Sequence, residues 1–223
     1  MIQLPPISFT FHKNFENCPH KAFHLNIAKD IPFKETAATQ WGTTVHAAFE
    51  KRINRGTPLP VGMEKWEPFC AFPPSSKVKA ELKLGMRADG SACDFFADDV
   101  WNRGVIDVLV IGAPLQQVAA IIDHKTGKVR EDSDELEHHA VLLKANNPRL
   151  ERITGWYNWL AEDRAGKFHD LSNTEAKLAS IRETRATIER LAPLGGEAFP
   201  KQQNPLCNYC PVKTCEFNGR FSR

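Results

Sequence analysis

"VAAIIDHKTGK", residues 118–128, is an apolar run that ends by setting Asp123 and Lys125 two positions apart around His124. A short apolar segment rich in β-branched residues reads as a buried strand. Side chains two apart on a strand share a face, so the acid and the amine stand together if the strand persists that far. The preceding "GVIDVLVIG", residues 104–112, reads as a second strand of the same kind. Folding it back through "GAPLQQ", with a turn centred near Pro114 and Leu115, brings Asp107 opposite Asp123 to within about one residue of register. Two carboxylates facing each other at the end of an apolar hairpin repel unless something positive lies between them. A divalent cation removes that penalty; hard oxygen donors suit Mg²⁺ or Mn²⁺, which polarise a phosphoryl oxygen and acidify bound water. Lys125 would then neutralise charge on a phosphate under attack. The bland alternative is a surface ion pair between Asp123 and Lys125, with Asp107 at a turn.

Outward from the hairpin, "VKAELKLGMR", residues 78–87, alternates as a strand through Glu81. "SDELEHHAVLLKANNP" predicts a helix stopped by Asn146, Asn147 and Pro148, and "RITGWYNWL" a further strand. Strand, helix and strand across residues 118–160 predict a parallel crossover beside the antiparallel hairpin. Upstream, "ATQWGTTVHAAFEKRI" places Trp41, Val45, Phe49 and Ile53 at helical spacing, with His46 at the edge of the stripe. Residues 54–76, with several Gly and Pro, read as a connecting segment. A last helix is expected to start at Ser172, capped there and answered by Glu175, with Leu178, Ile181, Ile188 and Leu191 inward and Gly195-Gly196 after its end. The sum is an α/β domain with a mixed sheet.

The 223 residues, 42% hydrophobic and 25% charged, suit one main globular domain, and a formal charge of +2 neither demands nor excludes nucleic acid. The first residues carry no export pattern, and no stretch approaches the roughly 18 apolar residues of a membrane span, so the expectation is a cytoplasmic protein with no membrane partner. No G-x-x-x-x-G-K-[ST] loop is present, which leaves the chain without a helicase motor of its own.

Six cysteines in a reducing compartment read as metal ligands where they cluster. Cys207, Cys210 and Cys215 crowd "CNYCPVKTC", and Cys18 in "FENCPHKAF" is the obvious fourth ligand of a tetrahedral site. Ligation by these four would fasten an N-terminal helix to a C-terminal segment. On the chemistry alone, zinc and an iron-sulfur cluster fit equally. Cys70 and Cys93 stand alone and read as buried small hydrophobes. His20 and His24 near Cys18 are safer as helix-surface residues. Trp156, Tyr157 and Trp159 are better read as core than as a stacking surface, and Lys21, Lys51, Arg52 and Arg55 as a solvated helix face.

"GVIDVLVI" followed by "AAIIDHKTGK" resembles the core of the PD-(D/E)xK nuclease superfamily. With Cys18-Pro19, "GTTVHAAFE" around His46 and the terminal cysteines in the same order, the chain is similar to RecB-like nucleases, among them the CRISPR-associated exonucleases, from about residue 8 to 217. The resemblance implies a restriction-endonuclease-like mixed sheet flanked by helices. It implies one nuclease domain over residues 1–223, with a catalytic core over approximately 37–192 and a cysteine-ligated subdomain from approximately 8–30 and 197–223. It implies that His46, Asp107 and Asp123 bind Mg²⁺ or Mn²⁺ and that Lys125 assists catalysis. Glu81 would be a further catalytic carboxylate or a solvent-facing strand residue. It favours a [4Fe-4S] cluster over Zn²⁺ on Cys18, Cys207, Cys210 and Cys215. The expected activity is hydrolysis of phosphodiester bonds in DNA, as an exonuclease on single-stranded or end-containing DNA, alone, with a second copy, or with a recombination- or CRISPR-type protein partner. The pattern departs at one place: Glu135 stands where relatives carry glutamine on the helix after the lysine strand, and no tyrosine follows on that helix. Rival readings are an iron-sulfur or zinc nucleic-acid-binding module without catalysis, and a zinc-stapled interaction protein.

Overall fold

The computed structural model describes residues 4–112 and 117–220, so the turn expected at Pro114 and Leu115 lies outside the described residues. In chain order the helices are α1 (Phe9–Asn17), α2 (Pro19–Ala22), α3 (Ala37–Arg55), α4 (Asp134–Asn146) and α5 (Glu175–Leu191). The strands are β1 (Lys77–Met86), β2 (Ala92–Cys93), β3 (Asn102–Ile111), β4 (Val118–Lys125), β5 (Arg152–Trp159), β6 (Arg164–Ala165) and β7 (His169–Asp170). They divide into two compact units, Glu35–Lys177 and Met1–Lys34 with Leu178–Arg223.

The larger unit holds a seven-stranded sheet of order β2-β1-β3-β4-β5-β6, with β7 also paired to β5. β1 pairs antiparallel with β3 and β3 with β4, and β4 and β5 are parallel through the α4 crossover. This mixed sheet flanked by helices is the restriction-endonuclease-like arrangement. β4 is buried on both faces, Ile121 and Ile122 alike, because helices cover the centre of the sheet. A Cβ at Gly104 would lie 2.8 Å from Leu142 Cδ1, so the absence of a side chain there lets α4 settle onto β3.

α3 starts at a capping box between Thr36 and Thr39 and ends on Gly56 at φ +70°. Its Val45, Ala48 and Phe49 pack with Leu59, Met63, Trp66 and Leu160. Replacing Phe49 by Ala would cost about 3–5 kcal/mol through the cavity left behind. Trp66 belongs to a 3₁₀ helix, Glu64–Cys70, inside the stretch read from the sequence as a connector. The Trp66 indole donates to Leu160 O at 3.1 Å, so this segment is part of the core. Trp41 is 47% exposed and stands outside the apolar stripe expected of it. Cys70 and Cys93 are half-buried and not core residues. Tyr157 and Trp159 are buried, as read from the sequence. Arg52 pairs with Glu67 at 2.8 Å.

In the smaller unit Phe11, Ile181, Ile188 and Phe199 are buried, and the Phe23 and Phe199 rings lie 4.9 Å apart. The expected cap on α5 is shifted: the Glu175 amide donates to Asn173 Oδ1 at 3.1 Å. The Ser172 hydroxyl instead donates to Asp170 Oδ1 at 2.6 Å.

Candidate active site

The β3–β4 ladder closes in on its polar end at the pair Val108↔Ile122. One more step in that register sets Asp107 opposite Asp123. There the Asp107 side chain takes over from the ladder: its Oδ2 accepts the His124 amide at 2.8 Å. The β1–β3 pairing passes from Ala80↔Val108 to Leu82↔Ile106, which leaves Glu81 across from Asp107 outside the paired residues. Glu81 has φ +53°, a left-handed conformation inside a strand. A glutamate held there costs roughly 1–2 kcal/mol.

α3 brings His46 to these two acids. His46 Nδ1 lies 3.2 Å from Glu81 Oε1 and 3.3 Å from Asp107 Oδ1. One ligand atom from each of His46, Glu81 and Asp107 falls within 4.8 Å of the other two. Donors on an octahedral cation at 2.0–2.1 Å stand about 3.0 Å apart along each edge, so the three atoms fit a common Mg²⁺- or Mn²⁺-like ion with a small adjustment. Burial alone would lower the His46 pKa; the Asp107 and Glu81 carboxylates outweigh it and raise it to about 10. An imidazolium there offsets one of the two carboxylate charges.

Asp123 is buried beside this group and is not one of the three meeting atoms. Its Oδ2 is 2.8 Å from Lys125 Nζ, an ion pair. Burial, then the Asp107 charge, raise the Asp123 pKa to about 6 against the pull of Lys125. Lys125 also donates to Glu135 Oε2 at 2.6 Å, and its ammonium stands 5.6 Å from the Tyr157 ring centroid. Burial would lower the Lys125 pKa, but Asp123 and Glu135 raise it well above the ordinary lysine range. His124 points away, its ring 4.0 Å from that of Phe49, and burial holds it neutral with a pKa of about 3.

His46, Glu81 and Asp107 thus come together, with Asp123 and Lys125 alongside. Glu135 and Tyr157 complete the lysine's surroundings. The sequence marks Glu135 as a departure from the nuclease pattern, and Tyr157 follows from the parallel register Asp123↔Tyr157, which no local motif reveals.

In the smaller unit Cys18, Cys207, Cys210 and Cys215 line one cavity together with His20 and Lys21. Cys18 sits in extended backbone, φ −167°, at the break between α1 and α2. Asn204 Nδ2 donates to Asn17 O at 2.9 Å and the His20 amide to Pro200 O at 3.1 Å, which fastens the two chain segments around the cavity. All four cysteines are free. His20 is buried, not a surface residue.

Among solved structures, that of SSO0001 matches with a TM-score of 0.50 at 15% identity, covering 96% of this chain and 86% of that one. A "Putative exonuclease" from Eubacterium rectale matches with a TM-score of 0.49 at 12% identity, covering 94% of this chain and 88% of that one. No curated protein matches. At 15% identity the likeness to SSO0001 speaks for the fold alone. The sequence profile of the PD-(D/E)XK nuclease superfamily matches residues 74–215, a span that contains both hairpin acids, Lys125 and three of the four cysteines that line the cavity. With acid, acid and lysine gathered on one sheet as that family's name requires, this chain belongs to the PD-(D/E)XK nuclease superfamily.

Proposed function

We propose that the chain is a divalent-metal-dependent deoxyribonuclease of the RecB-like type, working as an exonuclease on single-stranded or end-containing DNA. The observation that carries this reading is the convergence of His46, Glu81 and Asp107 ligand atoms beside an anchored ammonium. A divalent cation held there supplies Lewis acidity to the scissile phosphate and acidifies water. His46, Glu81 and Asp107 would hold it, and Asp123, buried alongside, would complete or orient the set. In the hydrolysis a water oxygen bonds to phosphorus, the P–O ester bond breaks, and the leaving oxygen takes up a proton. Lys125, fixed by Asp123 and Glu135, places its charge where the phosphoryl oxygens gain theirs.

The cysteine cavity is assigned a [4Fe-4S] cluster. Four cysteines around one cavity support a metal centre, and the resemblance to RecB-like nucleases favours the cluster over Zn²⁺, with each thiolate on its own iron. An oxygen-free preparation that is brown, with iron and sulfide in similar amounts, supports the cluster; colourless protein with one zinc per chain overturns it.

Cytoplasmic location and a recombination- or CRISPR-type partner belong to the same reading. Among the described residues, no helix is long and apolar enough to cross a membrane. The deciding experiment incubates end-labelled single- and double-stranded DNA with the protein and Mn²⁺ or Mg²⁺. Fragments that disappear with Asp107→Ala and Lys125→Ala support the nuclease. Binding without cleavage by the unaltered protein replaces it with a nucleic-acid-binding module.

A further inference from the structure

The cleft over the candidate site, about 850 Å³, is walled on one side by α3 through Thr43, His46 and Glu50 and on the other by Glu81 and Lys83 of β1. Lys83 does more than line it. Its ammonium stands 5.3 Å from the ring centroid of Phe96 and 5.9 Å from that of Phe95. The Arg103 guanidinium lies 4.8 Å from the Phe95 centroid. The two rings meet edge to face at 4.9 Å, and Phe96 is 68% exposed.

An exposed phenylalanine by itself means little. This one is displayed by a braced loop. The Phe96 amide donates to Asp94 Oδ1 at 2.8 Å, Ala97 N to Asp94 O at 3.1 Å, and Trp101 N to Met86 O at 2.9 Å. Beneath it β1 passes so close to β2 that a Cβ on Gly85 would lie 2.8 Å from Asp94 O. The loop is thus built tight against the strand that carries Glu81 and Lys83, with Phe96 largely exposed, the Lys83 ammonium over its ring and the Arg103 guanidinium over that of Phe95. Of the loop's acids, Asp94 is engaged with the Phe96 amide and Asp99 with Arg87 at 2.6 Å; Asp98 stays exposed.

We propose that Phe96, backed by Phe95 and flanked by Lys83 and Arg103, is a base-stacking subsite for single-stranded DNA at the edge of this cleft. An unpaired base offers a free π face to an exposed ring, whereas bases inside a duplex already cover one another. The adjacent cations match the phosphate that accompanies each base. Phenylalanine has no polar group with which to read a base edge, so the subsite takes any sequence. The inference rests on the nuclease reading for the direction of the strand, since Lys83 joins the ring to the cleft of His46 and Glu81.

The test is binding of the full chain in EDTA, where cleavage plays no part, followed by fluorescence anisotropy of labelled DNA. The probes are a 12-mer of thymidylate, a 12-mer of abasic sites, and a blunt duplex. Phe96→Ala should weaken binding of the thymidylate strand by about tenfold and leave the abasic strand and the duplex within twofold. Phe96→Trp should bind the thymidylate strand at least as tightly as the unaltered protein. Phe96→Leu, which keeps an apolar side chain without the π face, should resemble the alanine variant. Equal binding of the thymidylate strand by Phe96→Ala and the unaltered chain, equal loss on all three probes, or no binding of the thymidylate strand at all would each overturn the subsite. A chain that shows the binding contrast yet never cuts DNA with Mn²⁺ keeps the subsite and loses the nuclease; one that cuts without the contrast does the reverse.

Discussion

His46 and Lys125 are each gripped by two carboxylates: His46 by Glu81 and Asp107 at 3.2 and 3.3 Å, Lys125 by Asp123 and Glu135 at 2.8 and 2.6 Å. In each case burial opposes the charge on the nitrogen and the acids restore it. The chemistry then diverges. Imidazole that gives up its proton becomes a metal ligand, so the His46 group can exchange one cation for another. An ammonium so placed stays charged, and the Lys125 group is a fixed positive point. On the proposed reading, two groups each of one cation between two carboxylates would serve as an exchangeable cation site and a permanent one.

Asp107→Ala strikes hardest, because it removes a ligand atom, the partner of His46 and the acceptor of the His124 amide. Cleavage of labelled DNA should fall by about 10³-fold or more, and calorimetry should show no Mn²⁺ binding; retained tight binding would move the metal elsewhere. Lys125→Ala should lower cleavage by about 10²–10³-fold while Mn²⁺ still binds. If Mn²⁺ binding is lost as well, the two groups are one site and the distinction drawn here fails.

The exchange can be followed by pH. The folded-state pKa of His46, about 10, lies above the ordinary 6.5, so in metal-free protein its ion pairs stabilise the fold fully below 6.5, and this contribution fades as pH rises through 10. Mn²⁺ must displace that proton. Affinity should climb by about tenfold per pH unit across the neutral range, with one proton released per ion, read by calorimetry in buffers of different ionisation enthalpy. A flat profile would show that His46 is no ligand. The smallest effect is Glu81→Gly: relief of the left-handed strain should raise the unfolding free energy by about 1 kcal/mol in urea titrations, while Mn²⁺ binding weakens. A loss of stability instead would mean that the Glu81 ion pair outweighs the strain.

The hairpin was legible because its apolar residues admit one register, and that register carries Asp107 to Asp123 and leaves Lys125 on the same face. His46 was reached through the resemblance to RecB-like nucleases, the helical spacing placing it only at the edge of the stripe, and Cys207, Cys210 and Cys215 through their crowding, with Cys18 as the fourth ligand that a tetrahedral site needs. The conformation of Glu81 was not legible, since nothing marks a glutamate for positive φ as it would a glycine or asparagine. Nor was the capture of Lys125 by Glu135, which depends on how closely α4 settles over Gly104. The stretch 54–76 misled because Gly and Pro punctuate it, while Leu59, Met63 and Trp66 bury themselves between those breaks. Ser172 matched a capping pattern, but Asp170 competes for its hydroxyl.

The cavity shared by Cys18 with Cys207, Cys210 and Cys215 imposes an order on biogenesis. Cys18 leaves the ribosome long before its three companions are translated, so it must wait as a bare thiol while residues 35–177 are free to fold. Closure of the smaller unit is thus a late event, and oxidants that reach the nascent chain find Cys18 first.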